Sequence, residues 1–381
     1  MQTHQLSWSA ANGWRATGAE FGSADLVLYF GLRSALADGA RYRELRGMFV
    51  KAHVVGCSTG GQIRNDDVDD DIAAVALRFD RTRLRLACEA VPAPQHSRSC
   101  GEAIGRALAA DDLAGIFVLS DGLNVNGSEL VAGVTGVIGG KIPLTGGLAG
   151  DSALFEQTLV GADCAPQSGR VAAIGFYGTA IRIGHGSAGG WDEFGPRRRI
   201  TRSSGNVLYE LDGEPALDLY ERYLGEEDAR GLPGTAMLFP LLIRDEAEPD
   251  QDVVRTILAI DRQARSMTFA GDVPEGWVAQ LMRGNFDRLA AGAADAARQA
   301  RSGLGADRDG DGLALLVSCI GRRLLMDQRI MDEIEAAGLE LGSRIPRLGF
   351  YSYGEISPHG SGGVCKLHNQ TMTVTAITEA A

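Results

Sequence analysis

The chain has 381 residues, of which 45% are hydrophobic and 23% charged, values typical of a soluble globular protein with two or three domains. Its formal net charge of −12 argues against nucleic acid as a partner, because phosphate binding needs a surface rich in Lys and Arg. The N-terminus lacks the basic start and apolar stretch of a secretory signal, and no apolar run reaches the length of a membrane span.

The cysteines are scattered and form no C-x-x-C pair, which argues against a disulfide framework and against a structural zinc site. We therefore expect a cytoplasmic protein without membrane insertion. The six residues are Cys57, Cys88, Cys100, Cys164, Cys319 and Cys365.

The first predicted unit begins with an apolar strand over 25–30, followed by a helix over 34–48. A second strand, 52–55, runs directly into the glycine-rich segment 56–61. After an acidic stretch, a third strand covers 72–77. The order is strand, helix, strand, glycine elbow and strand, where an elbow is a short segment with glycines near both ends.

The same order returns twice. The second unit has a strand at 113–119, a helix at 127–138, an elbow at 146–151 and a strand from 171. The third has a strand at 313–317, a helix at 327–338 with a glycine stop, an elbow at 349–354 and a strand at 371–377. We interpret the three as diverged internal repeats.

These units predict an α/β fold of two domains with mixed sheets, since a helix between two strands favours a right-handed crossover. Elbow glycines allow positive φ and close approach of the backbone to a ligand or to another elbow. We expect the elbows to converge on a single cavity. Outside the units, 178–270 is strand-rich with a helix at 216–224, and 275–301 is predicted as an alanine-rich helix.

Gly56 to Gly60 fits G-x-S-x-G, the nucleophile elbow of hydrolases, in which a helix follows the serine immediately. Here a turn and the acidic stretch follow instead, and no later Asp and His pair stands out. A glycine turn lining a pocket is therefore favoured. A hydrolase that uses Cys57 or Ser58 as nucleophile remains an alternative.

Two other patterns give weaker signals. The acidic loop Asp307–Gly312 begins like an EF-hand, but Ser318 stands where a bidentate Glu is needed, so we expect a solvated loop and no metal. Gly147 to Gly150 resembles part of a phosphate-binding turn but lacks the Lys of a P-loop.

The segment 348–377 carries the densest set of candidate ligand-facing groups: Tyr351, Tyr353, Glu355, His359 and His368. Upstream, Cys319 and Arg322 follow a strand end, where Arg suits a carboxylate that accepts two hydrogen bonds. The alternatives are a core cysteine, a surface arginine and a structurally satisfied histidine.

Several segments in this order resemble the FIST domain (F-box and intracellular signal transduction) in its N-terminal plus C-terminal pairing. They are GCSTGGQI at 56–63, GGLAGD at 146–151, GNVLYELDGEPAL at 205–217, SCIGR at 318–322, GFYSYGEISP at 349–358 and LHNQTMTVTAI at 367–377. The resemblance covers roughly residue 20 to the end. It implies an N-terminal extension over 1–23, a FIST N-terminal domain over 24–214 and a FIST C-terminal domain over 215–381.

The resemblance implies a stand-alone sensory protein rather than an enzyme, binding a small ligand such as an amino acid. It would act in trans on a signalling partner, for example a histidine kinase of a two-component system. One branch of the family looks like haem-binding nitric-oxide sensors. A site without a cofactor is therefore the first expectation, and haem b with His368 as ligand is the alternative.

The resemblance also transfers possible ligand-site roles to matching positions. Arg322 would hold a ligand carboxylate, Glu355 or Asp151 would accept from an amine, and Tyr351 and Tyr353 would close the wall. Gln62 stands where the family often has Glu, so no carboxylate is expected there. The complete set is Cys57, Ser58, Thr59, Gly147, Asp151, Cys319, Arg322, Tyr351, Glu355, His368 and Asn369.

Overall fold

The computed structural model describes residues 1–16, 22–232, 234–247, 252–305, 311–358 and 363–380. His359 and residues 307–310 of the acidic loop lie outside these ranges. Among the described helices, none combines the length and apolar character needed to cross a bilayer.

The elements are numbered here in chain order. The first part of the chain forms β1 (Gln2–Ser9), β2 (Gly13–Ala16), β3 (Leu26–Gly31), α1 (Arg33–Leu36), α2 (Ala40–Met48), β4 (His53–Ser58), β5 (Gln62–Arg64), β6 (Asp67–Asp69) and β7 (Ile72–Arg78). The second forms β8 (Arg83–Ala90), α3 (Ser97–Leu108), β9 (Leu113–Ser120), α4 (Gly127–Ile138), β10 (Leu144–Leu148), β11 (Val160–Ala162) and β12 (Arg170–Tyr177).

The third part forms β13 (Ile181–Ala188), β14 (Trp191–Ser204), β15 (Val207–Leu211), β16 (Glu214–Pro215), α5 (Ala216–Arg230), β17 (Leu241–Arg244), β18 (Val253–Arg255), β19 (Ile257–Asp261), β20 (Ser266–Phe269) and β21 (Val278–Gly284). The last forms α6 (Phe286–Gly303), β22 (Gly312–Cys319), α7 (Ile320–Met326), α8 (Ile330–Leu341), β23 (Arg347–Ser352), β24 (Gly354–Pro358), β25 (Cys365–His368) and β26 (Met372–Glu379). Short 3-10 turns cover Pro94–His96, Gly234–Leu238 and Asp327–Arg329.

Three mixed sheets share one strand order. In each, a central strand pairs in parallel with the strand that follows its helix, as β3 does with β4, β9 with β10 and β22 with β23. On its other side the central strand pairs antiparallel with the last strand of the unit, β7, β12 or β26. A further antiparallel strand, β1, β8 or β13, lies beyond the last strand. The α/β class with mixed sheets is thus confirmed.

The three sheets exchange strands in a ring. The strand after each elbow leaves its own unit and pairs antiparallel with the second strand of another. β5 pairs with β23, β24 with β10, and β11 with β4. Each sheet is therefore completed by a strand from a different part of the chain, and the three sheets form one body.

The N-terminal residues belong to this body. β1 pairs with β7 along its length, from Gln2 opposite Arg78 to Trp8 opposite Ile72. Residues 1–16, expected as an extension, therefore form a hairpin in the first sheet.

A separate β-rich unit is inserted between β13 and α6. Its strands β14 to β21 form an eight-stranded sheet with its own apolar core, which includes Leu208, Tyr220 and Phe269. We call residues 191–284 the inserted unit and the remainder the body. The two family domains expected from the sequence meet at residues 214 and 215, inside this inserted unit.

The central strands of the body are buried on both faces. Every residue of β3 and β22 is buried, which explains their near-continuous apolar sequences. Helices α3 and α4 pack against each other, as do α6 and α8. Asn126 and Asn285 cap α4 and α6 by accepting hydrogen bonds from backbone N–H groups of the first turn.

The helix predicted over 275–301 is wrong in its first part. Residues Val278–Gly284 form β21, which pairs with both β14 and β17. The helix starts only after its cap at Asn285. Strand pairing on both sides thus overrides the helix propensity of this segment.

Candidate functional site

The three glycine elbows meet at one place in the body, as their glycines predicted. The first and third elbows are joined by a hydrogen bond from Gly60 N–H to Tyr351 O at 2.8 Å. Gly150 N–H donates to Ser58 O at 2.9 Å, which joins the second elbow to the first. Tyr353 N–H donates to Leu148 O at 3.3 Å and so joins the third to the second.

The elbows contact one another directly instead of surrounding a ligand-sized space. A Cβ added to Gly150 would lie 3.2 Å from Gly60 N, and one added to Gly147 would lie 2.6 Å from Val317 Cγ1. Ser58 and Tyr351 are fully buried. Gly147 therefore serves close packing, and the described residues of the three elbows pack against one another rather than around one common cavity.

The two candidate nucleophiles are structural. Ser58 Oγ donates to Gly150 O at 2.7 Å and accepts from Leu159 N–H at 2.9 Å, which fixes the hydroxyl between two elbows. Burial raises the pKa of the Cys57 thiol well above its usual range. Both groups are buried, and among the described residues the hydrogen-bond partners of Ser58 Oγ are backbone groups and not a base that could activate it for covalent catalysis.

Two other residues of the predicted set are also enclosed. Thr59 is fully buried and contacts the side-chain amide of Gln62 at 2.6 Å. The Cys319 thiol has its pKa raised by burial. Both pack inside the body and present no group to a ligand.

Arg322 is occupied by its own chain. Its guanidinium forms an ion pair with Glu333 at 2.8 Å, and neither side chain has any exposed surface. It also donates to Leu289 O at 2.8 Å and to Gly189 O. Glu333 therefore already supplies a carboxylate to Arg322, and the role of Arg322 in holding a ligand carboxylate stays a prediction that this pairing does not favour.

The Arg322 contacts reveal a positioning role instead. Gly189 lies where the chain leaves the body for the inserted unit, and Leu289 lies just after the chain returns. Glu333 is itself held by Ser318 Oγ at 3.0 Å and by the Tyr351 hydroxyl at 3.1 Å. The buried pair thus ties both chain crossings to the third unit.

Glu355 is also satisfied internally. Its carboxyl group accepts from Ser352 Oγ at 2.6 Å and from Thr371 Oγ1 at 2.9 Å. Complete burial raises the pKa of Glu355 to about 8, even with Arg322 nearby to oppose the shift. Glu355 therefore carries a proton through most of the neutral range and does not offer a charge to an amine.

Asp151 organises the second elbow. Its carboxylate accepts from the backbone N–H groups of Phe155 at 2.9 Å and Gln157 at 2.9 Å, and from the Tyr353 hydroxyl. Burial is the main cause of a raised pKa for Tyr353. The pair fixes the loop after β10 and the Tyr353 ring.

His368 lies at the edge of an open space, whereas its neighbour Asn369 is fully buried. The Nε2 atom of His368 is 3.0 Å from Ser357 O, and its side chain lines a cavity of about 550 Å³. Asn369 Nδ2 donates to Tyr353 O at 3.4 Å, while its buried Oδ1 has no hydrogen-bond partner among the described residues. Of the predicted site residues, all of which the structure describes, only His368 lines this cavity.

This cavity, which we call the crossing cleft, lies between the body and the inserted unit. Gly189, Gly190 and Trp191 of the outgoing crossing line it, together with Asp252, Arg288 and His368. Gly190 adopts φ +85°, a conformation that favours glycine, and its Cα faces the backbone of Arg288 closely enough to exclude a Cβ. The Trp191 Nε1–H donates to Gln370 O at 2.7 Å and fixes the ring in the wall.

Charges of both signs surround the crossing cleft. Asp192 is paired with Arg288, and Asp252 is paired with Arg244 at 2.9 Å. Glu193 adds a third carboxylate to the lining. Sequence reasoning missed these residues. The one local signal is the pair Gly189-Gly190, which lies within the segment 178–270 predicted as strand-rich.

The surroundings of His368 do not fit a haem. The Nε2 atom lies within hydrogen-bonding distance of Ser357 O, and the cavity it lines carries the carboxylates Asp192, Glu193 and Asp252. A haem macrocycle presents a large apolar surface, and a lining with three carboxylates is a poor match for it, because an apolar surface placed against charged groups takes them out of water.

Comparison with known proteins gives consistent results. The FIST N domain matches residues 25–214, and the FIST C domain matches residues 216–358. An uncharacterized protein of Methanocaldococcus jannaschii is 27% identical over an alignment of 191 residues, and the match covers 45% of this chain and 34% of the relative. The match thus spans about a third of that relative's length. The chain belongs to the FIST family, with its N and C domains in tandem.

Proposed function

We propose that this protein is a sensor that binds a small zwitterionic molecule, an amino acid in the first instance, in the crossing cleft. FIST domains are associated with signal-transduction sensing. The observation that supports the site is a cavity of about 550 Å³ lined by groups of both charge signs.

The position of the cleft suits a sensor. The chain passes between body and inserted unit beside it, at Gly189–Gly190 and again at Gly284–Asn285. A ligand that contacts both the body and the inserted unit stabilises the relative position of the two in which it forms all its contacts. Moving a two-state equilibrium from 1:99 to 99:1 takes a preference of roughly 10⁴-fold for one state.

The chemistry of the cleft suits a zwitterion. Arg288 is mostly exposed, and its ion-pair partner among the described residues is Asp192, so its guanidinium can turn to a ligand carboxylate, unlike that of the enclosed Arg322. Asp252 and Glu193 provide acceptors for an ammonium group. Trp191 and Met282 give an apolar wall for a side chain.

Output would pass in trans to a signalling protein, for which a histidine kinase is our first candidate. Such a partner would read the arrangement of body and inserted unit. The supporting observation is the family's association with signal transduction.

The experiment is isothermal titration calorimetry of the full chain against the twenty standard amino acids. Trp191 fluorescence provides a second readout, because its ring lines the cleft. We expect saturable binding of one or a few amino acids, lost in Arg288→Ala and weakened in Asp252→Asn. The control is Arg230→Ala, which removes an exposed arginine of the inserted unit outside the cleft.

Absence of heat and of a fluorescence change with every amino acid would refute the zwitterion proposal. Equal loss of binding in Arg288→Ala and Arg230→Ala would refute its placement in the crossing cleft.

A further inference from the structure

A second cavity, of about 270 Å³, lies between the body and the inserted unit, at the second sheet. We call it the aromatic pocket and define it by Gly122, Phe155 and Tyr353 of the body with Asn206 and Phe269 of the inserted unit. It opens at the carboxyl ends of two parallel strands, since Gly122 follows β9 and Leu148 ends β10. Ligands of open α/β sheets bind at this end of the strands.

Two stacked rings form one wall of the aromatic pocket. The Phe155 and Tyr353 ring centroids are 4.5 Å apart with an interplanar angle of 14°. Tyr353 is anchored through its hydroxyl to Asp151, and Phe155 through its N–H to the same carboxylate at 2.9 Å. The wall is therefore set before any ligand arrives, which reduces the entropy lost on binding.

The backbone that presents Phe155 is strained. Phe155 has φ +55° and Ser152 has φ +65°, values that a non-glycine residue rarely adopts. Such strain persists where the surroundings enforce it, and it concentrates at ligand-binding sites. Here the Asp151 hydrogen bonds enforce it, and the result is a half-buried Phe155 ring at the cavity.

One side-chain acceptor completes the pocket. Asn206 Nδ2 donates to Phe269 O at 2.8 Å, which fixes the amide. Asn206 lines the pocket, and none of the hydrogen bonds among the described residues uses its Oδ1, which leaves this oxygen as the candidate acceptor for a ligand N–H. The pocket thus combines a rigid aromatic wall with a side-chain amide that is held on its nitrogen side.

We propose that the aromatic pocket is a second binding site, selective for a planar aromatic molecule that carries a ring N–H. The ring stacks on Phe155 and its N–H donates to Asn206 Oδ1. The site is separate from the crossing cleft and shares none of its lining residues.

The test uses indole as the probe and titration calorimetry of the full chain as the measurement. We expect one saturable site, with affinity lowered about tenfold in Phe155→Ala because an aromatic contact is lost. 1-Methylindole, which keeps the ring and lacks the N–H, should bind more weakly than indole. Phe194→Ala removes a partly exposed aromatic ring of the inserted unit outside the pocket and should bind indole as the unchanged chain does.

A second variant guards against misfolding of Phe155→Ala. Ala270 lines the same pocket from the inserted unit, so Ala270→Phe fills it without touching the strained loop. Unsaturable indole binding, equal losses in the Phe155 and Phe194 variants, or full binding by folded Ala270→Phe would each overturn the proposal. Indole should still bind to the Arg288→Ala variant, because Arg288 lines the crossing cleft and not the aromatic pocket. A failure of amino-acid binding at the crossing cleft can therefore be distinguished from a failure of indole binding at the aromatic pocket.

Discussion

Replacing Arg322 with Met tests whether the SCIGR arginine is structural. The substitution keeps much of the side-chain volume and leaves Glu333 as a carboxylate with no exposed surface and no cation at 2.8 Å. Breaking a buried pair from one side costs about 3–5 kcal/mol. The hydrogen bonds to Gly189 O and Leu289 O are lost as well, so we expect the upper part of that range.

The assay is urea unfolding followed by circular dichroism, with two comparison variants. Arg322→Met/Glu333→Gln removes the stranded charge and should recover part of the loss, since Gln still offers an acceptor to Ser318 and Tyr351. Arg298→Met breaks an exposed pair with Glu340 and should cost at most about 1 kcal/mol. If Arg322→Met is no more destabilising than Arg298→Met, or if the double variant is less stable than the single one, the reasoning is refuted.

Three further predictions follow from single contacts. Burial raises the pKa of Glu355 from 4.5 to about 8 in the folded protein. The resulting contribution to the free energy of unfolding is fully present below the unfolded pKa and is lost as pH rises through about 8. Urea midpoints should therefore fall between pH 5 and pH 8.5, and Glu355→Gln should flatten that dependence on pH. If the urea midpoint of the Gln variant changes with pH as it does in the unchanged chain, another titrating group causes the pH dependence. Asn126→Ala removes the cap that accepts from Ser128 and Glu129 N–H and should cost about 1 kcal/mol in the same assay, whereas Asn12→Ala, at an exposed turn, should cost less. Ellman's reagent should modify the half-buried Cys88 and Cys164 of the native protein well before the four buried thiols, and rapid modification of Cys57 would contradict the packing of the first elbow.

The local pattern of the sequence predicts the α/β class and several individual strands and helices well. Apolar runs such as β3 and β22 have few alternatives when glycines and polar stretches bound them, and the predicted helix at 127–138 agrees with α4. Strand partners are not encoded locally. Nothing in Gln62–Arg64 indicates pairing with Arg347–Ser352, because the pairing depends on how the elbows cross.

The site was harder to predict for a related reason. Motif residues such as Arg322 and Glu355 are ionisable, and an ionisable residue in a motif suggests a ligand. Here the partners are in the chain itself, at Glu333, Ser352 and Thr371, and only three-dimensional packing brings them together. The residues of the crossing cleft come from the inserted unit and its connections, where the sequence showed little beyond a pair of glycines.

The ring of exchanged strands has a consequence for any attempt to dissect the molecule. A cut between residues 214 and 216 would separate β5 from β23, β10 from β24 and β13 from β26. Each fragment would expose unpaired strand edges, at which other chains can add by β-sheet pairing. Neither half should be recoverable as a monodisperse fold when expressed alone, whereas co-expressed halves should reassemble, each supplying the strands that the other lacks.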